Sequence, residues 1–267
     1  MNGVDYHVER TGSGPALVLL HGFTGSTATW APHIPVFARD FQTVAIDFLG
    51  HGASAVPADP ARYRLEHTVA DLAALLDELG ITRAVWLGYS RGGRVALGVA
   101  AAQPAMVEAL VLESAGPGIA DPAERAARAE ADEQLAEVIE REGTEAFVDR
   151  WERLPLFASH ARLPASTRAA LRGQRLANIP VGLANSLRGL GQGAQPPLHD
   201  RLAGVEVPTL FVVGEEDTKY RRFADESAAT MPRAQIAVVA GSGHAPHLEQ
   251  PEVFRRVVLD FLGSLRR

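Results

Sequence analysis

The sequence predicts an α/β fold, with a mostly parallel central sheet, helices on both faces and a helical cap inserted into it. Three observations carry that expectation. Short apolar runs alternate with helical stretches along most of the chain. One of those runs ends in a glycine-crowded turn, "GYSRG", at residues 88–92. The alternation then stops between Gly116 and about His199, where only helical patterns occur.

Taken in order, the apolar runs "ALVLL" (16–20), "TVAID" (43–47), "AVWLGY" (84–89) and "EALVLES" (108–114) predict strands. "PTLFVVG" (208–214) and "AQIAVVAG" (234–241) predict two more. A helix is expected over 65–80, closed by Gly80. Another runs from the "GYSRG" turn to Pro104, and a last one begins at about Pro251. Buried strands separated by helices imply a parallel sheet covered on both faces. Residues 1–115 and 200–267 therefore read as the core, and 116–199 as the cap. In the cap, Asp121 is the expected N-cap of a helix with Pro122 at its first position, Glu124 completing a capping-box pattern and Gly143 as its stop. "TEAFVDRWERLP" sets Phe147, Trp151 and Leu154 on one face, and one or two further helices span about Pro164 to Leu190.

Composition narrows the function. A chain of 267 residues, 46% hydrophobic, can bury one large core with an inserted subdomain. No apolar stretch approaches membrane-spanning length, so no membrane partner is expected, and the N-terminal "MNGVDYHVERTGSG" reads as mature protein. A net charge of −6 argues against nucleic acid as a partner. The absence of cysteine excludes disulfides, thiolate catalysis and Cys-ligated zinc. Cytoplasm is the expected location, and composition carries no signal for an oligomeric state. Lys219 is the only lysine among 26 basic residues, a bias that a GC-rich genome explains and that lowers the weight of any single arginine.

The chemistry centres on Ser90. "GYSRG" between a strand and a helix fits a nucleophile elbow, whose strained apex and close packing require flanking glycines; an ordinary glycine-rich loop is the bland alternative. A serine hydroxyl needs a histidine to take its proton and an acid to orient that histidine. Asp217 in "FVVGEEDTKY", just past a strand end, and His244 in "AGSGHAPHLEQP" follow in the order expected of such folds. Glu215 and Glu216 are rival acids. His247 is the rival base, expected instead to begin or support the final helix. The two histidines lack a third partner for a metal, so neither metal nor cofactor is expected. In "LHGFTGS" the Phe23 amide can pair with that of Arg91 as an oxyanion hole, one donor being worth roughly 3–4 kcal/mol in the transition state. His21 and His51 are expected to be structural.

The motifs "LHGF", "DFLGHGAS", "GYSRGG", "GEEDTKY" and "GHAPHLEQP" together make the chain resemble the α/β-hydrolase superfamily over essentially its full length. Within it the chain is more similar to the menaquinone-pathway synthases of 2-succinyl-6-hydroxy-2,4-cyclohexadiene-1-carboxylate. The stretches "GYSRGGRVALGVA", "RAARAEAD", "FVDRWERLPLFAS", "GQRLANIPVGLANSLRGLGQGAQPPL" and "GEEDTKY" carry that likeness. The resemblance implies an α/β-hydrolase fold and lyase chemistry, elimination of pyruvate from an enolpyruvyl cyclohexene bearing three carboxylates. It implies Ser90, Asp217 and His244 as the triad, Arg94, Arg128 and Arg175 as substrate-binding arginines, and Tyr89 and Trp151 as aromatic pocket walls. Two departures stand out: Arg91 replaces an apolar residue, and the cap helix after Arg128 is more acidic than expected.

Read without the resemblance, the arginines are ambiguous. Ser90 and Arg94 are four apart at a helix start and can face one pocket. Arg128 shares a stripe with Leu135 and Ile139, where a cation needs an anion, supplied either by substrate or by Asp132. Guanidinium forks suit carboxylates. The Arg91 contribution is expected to come from its backbone. Two other functions stay open on the residues alone: a serine hydrolase of esters or C–C bonds, of carboxylesterase or meta-cleavage-product hydrolase type, and a non-catalytic scaffold.

Overall fold

A computed structural model describes residues 2–265. Seven strands, β1 (Val8–Thr11), β2 (Ala16–Leu20), β3 (Gln42–Ile46), β4 (Ala84–Tyr89), β5 (Val107–Glu113), β6 (Thr209–Gly214) and β7 (Ala234–Val239), form one sheet in the order β1-β3-β2-β4-β5-β6-β7. The six apolar runs become β2 to β7, all parallel to one another. β1 was not expected. It pairs antiparallel with β3, Val8 opposite Ile46, and is largely exposed, so its sequence "VERT" lacks the apolar run that marks a buried strand.

Period-two alternation splits the sheet's side chains between two cores. Val18, Leu20, Trp86, Leu110 and Phe211 pack with α2 (Leu65–Glu78), α3 (Arg91–Ala102) and α7 (Thr218–Ala228). Leu17, Leu19, Leu87, Val111 and Val212 pack with α1 (Ile34–Phe37) and α9 (Pro251–Ser264). Each fully buried Leu or Val contributes about 1.5–3 kcal/mol. A one-residue slip of any central strand would exchange the two sets, which fixes the register and hence the strand ends.

Between β5 and β6 lie α4 (Pro122–Trp151), α5 (Ala165–Leu176) and α6 (Pro180–Leu190). Asp121 caps α4 by accepting from the Glu124 amide at 2.7 Å. Gly143, at φ 82° and ψ 174°, stops the first helical segment of α4 as expected; a second segment follows directly across this kink and runs to Trp151. Ile139, Phe147 and Val148 pack against Leu183 and Leu187 of α6 in a separate small core. Leu154 departs from expectation. The helix ends three residues before it, and it lies 38% exposed ahead of a 3-10 segment, Pro155–Arg162. Gly182 of α6 abuts Gly50 of the loop after β3, where a Cβ on Gly50 would sit 2.5 Å from the Gly182 carbonyl. Among the described residues no helix is long and apolar enough to cross a membrane.

Candidate active site

Ser90 stands between the end of β4 and the start of α3, at φ 51° and ψ −107°, a conformation that side chains rarely adopt. Its amide donates to the Glu113 carbonyl at 2.8 Å. A Cβ on Gly88 would overlap the Gly92 backbone, and one on Gly92 would overlap the end of β2. The glycines therefore let strand, turn and helix close on one another. The Arg91 amide heads α3 and has no carbonyl within the helix to donate to.

β6 and the turn after β7 bring two more side chains to this apex. His244 Nε2 is 3.2 Å from Ser90 Oγ, and His244 Nδ1 is 2.6 Å from Asp217 Oδ2. Asp217 also caps α7, its Oδ1 accepting from the Tyr220 amide. His244 and Asp217 are both buried. The rivals are engaged elsewhere. Glu215 accepts from the Gly241 amide, and Glu216 pairs with Arg162 at 2.8 Å. His247 lies in α8 (Pro246–Glu249) and donates through Nδ1 and its amide to Glu113, inside the core.

His21 donates from Nδ1 to the Gly22 carbonyl at 2.7 Å and accepts the Phe48 amide at Nε2, 3.0 Å away. His51 donates to the Leu49 carbonyl. Desolvation holds His21 down at about 4 and His51 well below the usual value, so both are neutral spacers behind the turn that carries Phe23.

A cavity of about 340 Å³ opens on Ser90 and His244. Phe23, Tyr89, Arg91, Arg94, Arg128 and Trp151 line it, together with Gln192, Lys219 and Tyr220. Aromatic residues of the segment between β5 and β6 form one wall: Trp151 meets Phe23 edge-on at 5.3 Å between ring centroids and Phe157 at 5.6 Å. Desolvation, followed by the charge of Glu113, keeps the Tyr89 hydroxyl protonated well above the usual range.

The arginines divide. Arg94 is buried and, among the described residues, bonded only to neutral oxygens, Gln195 Oε1 and the Leu190 carbonyl; burial pushes it down to about 10. Arg128 lines the cavity but also donates to Asp132 at 2.8 Å, the internal ion pair that competed with a ligand role in the sequence. Arg175 does not reach the cavity at Ser90. It lines a neighbouring one of about 370 Å³, beyond Tyr89 and Phe157, and pairs with Glu152 at 3.0 Å. Arg91 was expected to matter through its backbone alone. Its guanidinium is buried instead, 4.3 Å from the Phe23 ring centroid and bonded to Ser186 Oγ.

The alpha/beta hydrolase family profile matches residues 17–257. The chain belongs to the alpha/beta hydrolase family. Its relatives are specific. The 2-succinyl-6-hydroxy-2,4-cyclohexadiene-1-carboxylate synthase of Salmonella paratyphi C (strain RKS4594) is 36% identical, covering 92% of each chain. A protein of Bacillus subtilis (strain 168), provisionally named for the same synthase, is 41% identical over 99% of this chain and 97% of its own. The structure of MenH from S. aureus superposes with a TM-score of 0.94 at 33% identity, covering 98% of this chain and 99% of its own.

Several groups of this alpha/beta hydrolase site escaped the sequence reading. Gln192 and Gln195 come from the loop after α6 and have no local pattern. Lys219 and Tyr220 follow Asp217 directly, in the first turn of α7. A signal for Lys219 was available: a single lysine in an arginine-rich chain, placed two residues beyond the acid at a strand end.

Proposed function

We propose that this alpha/beta hydrolase is a 2-succinyl-6-hydroxy-2,4-cyclohexadiene-1-carboxylate synthase. It would eliminate pyruvate from 2-succinyl-5-enolpyruvyl-6-hydroxy-3-cyclohexene-1-carboxylate in menaquinone biosynthesis, with residues 116–199 as its cap and the cytoplasm as its location. Full-length identity of 41% to a relative named for that synthase carries the reading. A cavity lined by cations and opening on Ser90 supports it.

In this mechanism His244 takes the Ser90 proton, and the Ser90 oxygen removes the ring proton beside the succinyl ketone. The electron pair left behind resides on the ketone oxygen as an enolate, faced by the Phe23 and Arg91 amides. It then returns through the ring double bond, which shifts to give the 2,4-diene, and the C–O bond to the enolpyruvyl group breaks. The departing enolpyruvate takes up a proton and tautomerises to pyruvate. Asp217, 2.6 Å from Nδ1, fixes the imidazole tautomer and offsets the charge His244 acquires. Arg94 and Arg128 would hold substrate carboxylates in the cavity at Ser90, Arg175 would hold one only if the ligand extends past Tyr89 and Phe157 into the neighbouring cavity, and Tyr89 and Trp151 would flank the ring. No cofactor or metal takes part in these steps.

A coupled assay for pyruvate on the authentic intermediate tests the proposal. Pyruvate release at an enzymatic rate is expected. Hydrolysis of simple esters with no pyruvate from the intermediate would contradict it.

A further inference from the structure

Four cations line the cavity at Ser90: Arg91, Arg94, Arg128 and Lys219. Among the described residues only Arg128 has a carboxylate of the protein in contact, Asp132 at 2.8 Å. Arg91 and Arg94 are met by a serine hydroxyl, a glutamine oxygen and a carbonyl. The Lys219 ammonium reaches only the faces of Tyr220 and Phe223, 5.9 and 5.7 Å from the ring centroids. Among the described residues three cations around one cavity are thus left without an ion pair to a protein carboxylate, Asp217 and Glu124 acting on Lys219 only from a distance.

A desolvated cation without a counter-ion is costly, and a bound anion relieves that cost. The proposed substrate has three carboxylates. Two of the three arginines that the family resemblance implies already hold protein acids, Arg128 with Asp132 and Arg175 with Glu152. Lys219 is exposed in the first turn of α7, two residues after Asp217 and beside Tyr220, whose ring lies 4.6 Å from that of His244. A compact ammonium on a flexible stem suits such a rim, since it can follow an anion inward; a rigid guanidinium fork suits a closed pocket.

We propose that Lys219 is a substrate-binding residue that pairs with one of the carboxylates of the ligand at the mouth of the cavity. The inference rests on the synthase reading. Desolvation and then the nearby charge of Arg128 hold the Lys219 pKa below the usual lysine value, consistent with surplus positive charge at that spot.

The test compares Lys219→Met and Lys219→Arg with the wild type in the pyruvate assay, with thermal melting as a control for folding. Lys219→Met keeps the apolar stem and removes the charge. It should lower kcat/KM about tenfold or more, chiefly through KM, at an unchanged melting temperature. Its kcat/KM should also depend less steeply on ionic strength than that of the wild type. Lys219→Arg should retain most of the activity. A Met variant within twofold of an active wild type would overturn the role of Lys219 and leave the synthase reading intact. If the wild type releases no pyruvate, the synthase reading fails. The anion site is then decided by titrating tryptophan fluorescence with citrate, a tricarboxylate, because Trp151 lines the cavity. Affinity tenfold weaker in Lys219→Met supports the site, and equal affinity refutes it.

Discussion

Glu249 holds the backbone on both sides of His244. Its carboxylate accepts from the Gly243 amide at 2.9 Å and from the Ala245 amide at 3.1 Å, and its side chain is 4% exposed. The imidazole therefore hangs from a short loop pinned at both flanks by charge-assisted bonds. In Glu249→Gln, one of the two side-chain oxygens becomes an NH2 facing an amide donor. Loss of one buried bond of this kind costs about 1–3 kcal/mol. The expected result is a lower melting temperature and a kcat reduced about tenfold at nearly constant KM. A variant that melts lower with unchanged kcat would show that the clamp serves folding alone.

Ser90→Ala should reduce turnover by at least about 10²-fold, the lower end of a general acid–base contribution. The protein should stay folded, because the change removes one oxygen at the apex of an elbow whose backbone contacts remain. Steady-state pyruvate release and circular dichroism check the two halves. Retention of more than about a tenth of wild-type turnover would contradict the role given to Ser90.

The arginines should not behave alike. Arg94→Ala removes a buried cation bonded to neutral groups. A hydrogen bond to a charged partner is worth roughly 1.5–3 kcal/mol, so kcat/KM should fall about 10- to 150-fold. Arg128→Ala also strands the buried Asp132 and is expected to lower the melting temperature as well, whereas Arg175→Ala leaves Glu152 paired with Arg172 and should lower it less. Arg91→Ala should cost both stability and activity, because its guanidinium packs on Phe23 beside the proposed oxyanion amides. Parallel measurement of kcat/KM and melting temperature across the four variants separates binding from structure. An Arg94→Ala variant with wild-type kcat/KM would contradict the assignment.

Much of this architecture was legible because the strands of a covered parallel sheet are apolar on both faces and end in polar turns. Ser90, Asp217 and His244 could be picked out because each sits just beyond such a run. β1 was illegible because a largely exposed antiparallel edge needs no apolar run. The state of the cations was illegible for a different reason. The partner of Arg94 is 101 residues away at Gln195, and Glu152 is 23 residues from Arg175, so only the folded chain decides which cations remain free. Arg128 shows the limit most clearly: helical spacing put it beside both Asp132 and the cavity, and it touches both.

Acid should destabilise the fold through its buried neutral histidines. Desolvation lowers His33 to about 3 and His21 to about 4, against an ordinary value of 6.5. The unfolded chain therefore binds more protons between those limits. Stability is complete above about pH 6.5 and falls as pH drops toward 4, by about 1.4 kcal/mol per pH unit for each such histidine. His33 packs among Phe37, Phe254 and Trp30 and feels the charges of His247 and Arg255. His33→Phe should flatten the dependence of melting temperature on pH between 6.5 and 4. An unchanged slope would mean that other groups carry the acid sensitivity.

The most direct test of the central claim follows pyruvate and the cyclohexadiene product together after rapid mixing of enzyme with the enolpyruvyl intermediate. Elimination through a serine base predicts that the two appear in equal amounts and in step. With Ser90→Ala both should form at least about 10²-fold more slowly. A covalent adduct on Ser90 trapped during turnover, or pyruvate released without an equal amount of the diene, would contradict the account and replace base catalysis by nucleophilic catalysis.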